Sequence, residues 1–193
     1  MLKSNRLLSN GLLALGLGSI VALQSCGTVP TTEEGMAEKR AEVVPMAEQT
    51  LTKMIGKDPS IEDAMSDAYG YAVFPTIASG ALIIGGEGGD GVVFEGGSPW
   101  GLAKLAKGSI GAQIGGETYS ELVILTTEDA FKKFVAGDFQ FSADLTATAV
   151  KAGAATAAPA ADGMKVLVMT KGGLMASAAV GGQDFSCYPF DTK

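Results

Sequence analysis

Glycine pairs close three apolar runs in this chain: ALIIGG at 81–86, SIGAQIGG at 109–116 and MASAAVGG at 175–182. That punctuation constrains the fold more than any other feature. An apolar run cut by paired glycines cannot continue as a long helix, whereas glycine lets a strand turn back on itself without a Cβ clash. Strand-like VVFEG and YSELVIL follow the first two runs, and KVLVMT and GLMAS flank Lys171-Gly172-Gly173. The spacing of the runs is irregular, so this is not a solenoid of repeats. The expectation is a Gly-rich, largely antiparallel sheet, with Gly86, Gly88, Gly91, Gly115 and Gly116 shaping its hairpins. Glycines inside strands, which permit close packing or bulges, are the alternative use.

The stretch GGEGGDG at 85–91 also contains a GxGxxG. A dinucleotide fingerprint needs its last glycine to open a helix and an acid about 20 residues on. Here a strand, VVFEGG, follows, and no acid stands between Glu95 and Glu117. The nucleotide reading is set aside, and no cofactor is expected.

Helical spacing appears before Tyr69 and once after it. From Met36 to Ile55 the residues Val43, Ala47, Leu51, Met54 and Ile55 form one stripe, with Thr31 and Glu34 set as a capping box and Pro45 placed to start, kink or split the helix. That stripe packs either on the domain's own sheet or against a membrane. KDPSIEDAMSDA predicts a second helix with Asp58 as N-cap and Pro59 at N1. TTEDAFKKFVAGD predicts a third, capped by Thr126 and stopped by Gly137. Helices first, then an antiparallel sheet with one inserted helix, is an α+β arrangement.

Composition removes several function classes. There is no histidine, which excludes imidazole acid–base chemistry, Ser-His-Asp triads and imidazole metal sites. A formal net charge of −7 disfavours nucleic acid as a partner. Glu87, Asp90 and Glu95 lack the spacing of a calcium loop, and no pair of acids is singled out for hydrolysis. No metal and no catalytic residue is expected. Cys187 sits between Phe185, Tyr188 and Phe190 and reads as a small, partly buried residue rather than a reactive thiol.

The first 25 residues form a leader. Lys3 and Arg6 precede an apolar run from Leu7 to Leu23, which ends in LQSCG. Leu, a small residue and then Cys is the pattern of a bacterial lipobox. Cleavage there leaves Cys26 to carry acyl chains, palmitate among them, and two or more chains hold a protein firmly on a bilayer. Other export routes and a retained anchor are the alternatives. Residues 26–35 are a short tether and residues 36–193 the domain. Gly27, rather than Asp, after the cysteine points to the outer membrane, facing the periplasm.

The order YGYAVFPTIASGALIIGGEGGDGVVF, Trp100, GSIGAQIGGETYSELVILTTEDAFKKF, SADLTA and KGGLMASAAVGG resembles the SYLF domain. The likeness spans about residues 40–190. It implies a lipid-binding domain, phosphoinositide- and actin-associated in eukaryotes, that brings no catalytic residues. The chain departs from the pattern in GLAKLAKG after Trp100 and in its acidity: Arg40 is the only arginine beyond the leader. Inositide specificity and actin binding are therefore not carried over. Trp100 with Lys104 and Lys107 forms a possible headgroup contact, since Trp favours interfaces and Lys reaches anionic lipid. The expectation is a non-enzymatic envelope lipoprotein that binds phospholipid or another amphiphile. The alternative is a scaffold lipoprotein with a protein or cell-wall partner.

Overall fold

A computed structural model describes residues 29–79, 85–109, 118–138, 148–149, 162–171, 173–177 and 183–191. Helix α1 spans Glu33–Lys57. Its N-cap is Thr32, whose hydroxyl accepts the Gly35 N–H at 3.1 Å, one residue later than Thr31. Glu33 and Glu34 lie at its positive end and Lys57 at its negative end. Pro45 neither starts nor splits it. Pro45, which has no N–H to donate to the Ala41 carbonyl, and Ala41 both lie on the exposed side of the helix. Val43, Ala47, Thr50 and Met54 are buried, so the apolar stripe packs on the domain's own sheet. Helix α2, Ser60–Ser66, follows at once, with the Asp58 carboxylate accepting the Ser60 N–H at 3.1 Å.

The strands are β1 (Gly70–Ser79), β2 (Gly85–Glu95), β3 (Ser98–Ser109), β4 (Thr118–Leu125), β5 (Thr148–Ala149), β6 (Met164–Thr170), β7 (Gly173–Ser177) and β8 (Gln183–Pro189). Helix α3, Glu128–Ala136, is inserted after β4. Thr127 caps it, while the hydroxyl of Thr126, the expected cap, donates to the Gly163 carbonyl. Gly137 stops it at φ 72°. Among the described residues every strand pair is antiparallel, in the order β5-β7-β6-β4-β1-β2-β3-β8. The α+β class expected from the sequence is observed.

Both faces of the sheet are covered. One carries Val73, Val92, Leu102, Leu122, Ile124 and Leu167 under α1 and α2. The other carries Phe74, Ile77, Val93, Val123 and Val166, with Phe131 and Phe134 of α3.

The sheet is curled around its α3 face. Strands β4 and β8 are four places apart, a separation of about 19 Å in a flat sheet. Yet Gln183 on β8 hydrogen-bonds Glu121 on β4 at 3.1 Å, and the rings of Phe74 and Phe185 meet at 5.7 Å. Register shifts in β1 between Val73 and Ala78 and at the Val93/Phe94 step supply bulges that bend the strands.

Glycine supplies the rest, and here the hairpin expectation is corrected. Gly86, Gly88 and Gly91 lie within β2, not at a turn. The turn that follows is made by Gly96 and Gly97, at φ 53° and 81°. A Cβ on Gly91 would lie 2.6 Å from both the Val73 carbonyl oxygen and the Phe74 ring. Gly91 therefore lets β1 and the Phe74 side chain crowd the concave face. Gly115 and Gly116 fall outside the described residues, as does most of residues 80–86.

Candidate functional site

The three residues singled out as a headgroup contact are not brought together. Trp100 is the extra residue of the β3 bulge, between Pro99 opposite Phe94 and Gly101 opposite Val93. Its indole packs edge-on against Phe131 on the α3 face, with ring centroids 5.9 Å apart. Lys104 binds Asp90 at 2.6 Å, and Lys39 of α1 binds the same carboxylate at 3.0 Å. Partial burial works against the Asp90 charge, but hydrogen bonds from Lys104 and Lys39 outweigh it and hold the carboxyl below its usual range. Lys107 lies 3.5 Å from Glu87. Both lysines are thus committed to internal carboxylates.

The acids of the Gly-rich stretch also diverge. Glu87 pairs with Lys107 and Tyr119, Asp90 with the α1 lysine, and Glu95 accepts the Tyr69 hydroxyl at 2.9 Å. Cys187 points at the Phe134 carbonyl, and burial pushes its thiol up to about 12, which keeps it unreactive at neutral pH.

A different group of cations stands free. Lys53 and Lys57, one turn apart near the C-terminus of α1, face Lys171 of the β6–β7 turn across a cleft of about 630 Å³. Thr76 and Thr118 add hydroxyls, while the Ser120 hydroxyl donates to the Pro75 carbonyl at 2.6 Å; Pro75, Tyr119 and Met169 add apolar surface, and among the described residues no carboxylate lines the cleft. All three lysines are exposed, and among the described residues none makes an ion pair. Uncompensated positive charge beside hydroxyl donors and apolar walls suits an anionic group with an apolar body. The Lys53–Lys57 spacing is legible in the sequence. Lys171 is over a hundred residues away and reaches them only through the sheet.

On the concave face, beyond the aromatic residues, lies a buried polar cluster. Glu121 is fully buried and accepts from Gln183 Nε2. The Tyr119 hydroxyl donates to Glu87 at 2.7 Å. Burial raises the Glu121 carboxyl to about 7 against the opposing effects of the Gln183 hydrogen bond and Lys107, with the Glu87 charge adding to the rise. Strand alternation puts Glu121 on the same face as Val123 and Leu125. In YSELVIL the run is apolar on both faces from Leu122 onward, so alternation alone did not mark that position as interior.

The architecture defines a class: a curled antiparallel sheet clamped between α1 and α3, with a basic cleft at one end. Residues 106–187 match the family model Ysc84, described as Las17-binding protein actin regulator. Over 148 residues the chain is 24% identical to Beta cell expansion factor A of Aeromonas veronii, covering 77% of this chain and 57% of that protein. The match over residues 106–187 agrees with the SYLF resemblance that the glycine pattern carries. The chain spans a little over half the length of the curated relative it matches. Among the described residues no helix is long and apolar enough to cross a membrane.

Proposed function

We propose that this protein is a lipid-anchored component of a bacterial envelope whose SYLF domain binds phospholipid or another anionic amphiphile non-covalently, in the cleft between Lys53, Lys57 and Lys171. The observation that carries the reading is that among the described residues these lysines form no ion pair, in a chain of net charge −7, while Lys39, Lys104 and Lys107 are neutralised internally. The amphiphile's phosphate or carboxylate takes the lysines and its apolar part the Met169 and Tyr119 side. No catalytic step is assigned.

The anchor is acylated Cys26, which lies outside the described residues, and the proposed site of residence is the periplasmic face of the outer membrane. From Cys26 to the start of α1 at Glu33 the chain reaches at most about 25 Å. The 25-residue α1 places the cleft about 37 Å from its tethered end. To meet its own bilayer the cleft must therefore descend with α1 lying toward the membrane plane rather than upright.

Flotation of a chain beginning at Gly27 with anionic and neutral vesicles tests the proposal. Flotation with anionic vesicles without the anchor is expected; none from a folded protein refutes it. The family's description as Las17-binding protein actin regulator favours a second reading, a scaffold with a protein partner, which predicts no flotation.

A further inference from the structure

Among the described residues, two buried oxygens on the concave face have no hydrogen-bond partner: Glu121 Oε1 and Gln183 Oε1. They belong to the two side chains already joined by Gln183 Nε2–H donating to Glu121 Oε2 at 3.1 Å. Both orphans are acceptors when Glu121 is ionised, and each orphaned buried acceptor is costly. A single proton removes both defects. Placed on Glu121 Oε1, it donates to Gln183 Oε1 and closes a ring of two hydrogen bonds between a carboxylic acid and a primary amide. With the amide turned over, its oxygen would face Glu121 Oε2, and a proton would again be required between them.

The surroundings favour a neutral acid. Lys107 on β3 is the nearby cation, but it lies 3.5 Å from Glu87 on β2, which also accepts from Tyr119 on β4. The neighbouring strands β1 and β6 place apolar Phe74 and Val168 in register with Glu121. Helix α3 turns Phe131 and Phe134 to this face, while its Lys132 and Lys133 pair with Glu128 and Asp129 in solvent. Lys107 and Glu87 offset one another, so Glu121 carries the uncompensated charge.

We propose that Glu121 binds a proton in the folded domain and that this proton closes an acid–amide latch with Gln183, tying edge strand β8 to β4 across the concave face. The latch is a protonation site in the interior, independent of the lysine-lined cleft and of any lipid. Its release on ionisation leaves two buried oxygens without the shared proton and frees β8, whose other sheet contact among the described residues is β3. Domain opening is thereby linked to pH near neutrality, the direction in which burial moves this carboxyl.

Infrared difference spectra of the full chain between about pH 6 and about pH 9 test it, with hydrogen exchange of the β8 amides alongside. The expected result is a hydrogen-bonded, protonated-carboxyl band at the lower pH that vanishes at the higher one and is missing in Glu121→Gln. Protection of β8, followed from about pH 4.5 to about pH 7, should fall of order a hundredfold and then level off. In Gln183→Leu the band should persist but shift to that of a free acid. This comparison decides the matter if Glu121→Gln does not fold. Absence of the band in wild type, or a band indifferent to Gln183→Leu, overturns the proposal. So does β8 protection that follows sodium concentration rather than pH, which would put a cation where the proton is proposed.

Discussion

Replacing Gly91 by alanine adds one methyl group at the most crowded point of the curled sheet. The new Cβ would sit 2.6 Å from the Val73 carbonyl oxygen, 2.6 Å from Phe74 Cδ1 and 2.9 Å from Phe74 Cε1. Neither neighbour can yield cheaply. The first is backbone of the adjacent strand, and the second is a fully buried ring that already meets Phe185 at 5.7 Å. Overpacking of this kind costs about 1–3 kcal/mol, and the backbone contact places Gly91 at the upper end. Loss of glycine's freedom in the unfolded chain returns about 0.4–1 kcal/mol. The net expectation is about 2 kcal/mol of destabilisation, or about 4–8 °C in Tm for a domain of this size. Gly88→Ala is the internal control: it is exposed, and its Cβ meets only the Leu105 oxygen, at 3.3 Å. Equilibrium urea unfolding of both variants gives the comparison. If Gly88→Ala is as costly as Gly91→Ala, the role assigned to Gly91 in the sheet's curvature is wrong.

Further outcomes follow from the same contacts. Between about pH 4.5 and about pH 7 the folded protein holds the Glu121 proton and the unfolded chain does not, so about 3 kcal/mol of stability, fully present below that window, is lost as pH rises through it. Urea midpoints across pH read this, and Glu121→Gln should flatten the profile. Asp90→Asn leaves Lys39 and Lys104 without their shared carboxylate and should cost about 1 kcal/mol, less in high salt. Because the Asp90 carboxyl is held low, its contribution is present above the ordinary Asp range and disappears as pH falls below it. Trp100→Ala should lower stability by about 2 kcal/mol through loss of its Phe131 contact, while vesicle affinity stays unchanged. A thiol reagent should label Cys187 only as the domain unfolds, which pulsed labelling in urea detects.

Local signals in the sequence located most elements. The Val43–Met54 stripe and Gly137 at left-handed φ each act within a few residues, and each is where periodicity and capping chemistry place it. Helix α2 instead starts at Ser60 with Pro59 as its N-cap, while the carboxylate of Asp58, the expected cap, accepts the Ser60 N–H. The caps at Thr32 and Thr127 are one residue off because adjacent threonines offer the same hydroxyl and only backbone geometry chooses between them. The glycines of GGEGGDG misled for a related reason. Glycine serves a tight turn and a crowded strand equally well, and the deciding contact, Phe74 with Val73, is supplied by another strand. The site was less legible still. Lys104 and Lys107 look like free cations until the sheet sets Asp90 and Glu87 beside them. Lys171 joins Lys53 and Lys57 only through the place of β6 in the sheet, and Glu121 meets Gln183 only through the sheet's curl.

The most direct test of the lipid-binding account is the affinity of the chain from Gly27 onward for anionic vesicles, measured beside a folded Lys53→Gln, Lys57→Gln, Lys171→Gln variant. Each lysine at an anionic surface contributes about 1 kcal/mol, so removing three should weaken binding about a hundredfold. Lys104→Gln, whose charge is internally paired, should change it little. Equal affinity of the triple variant and the wild type would contradict the assignment of the cleft.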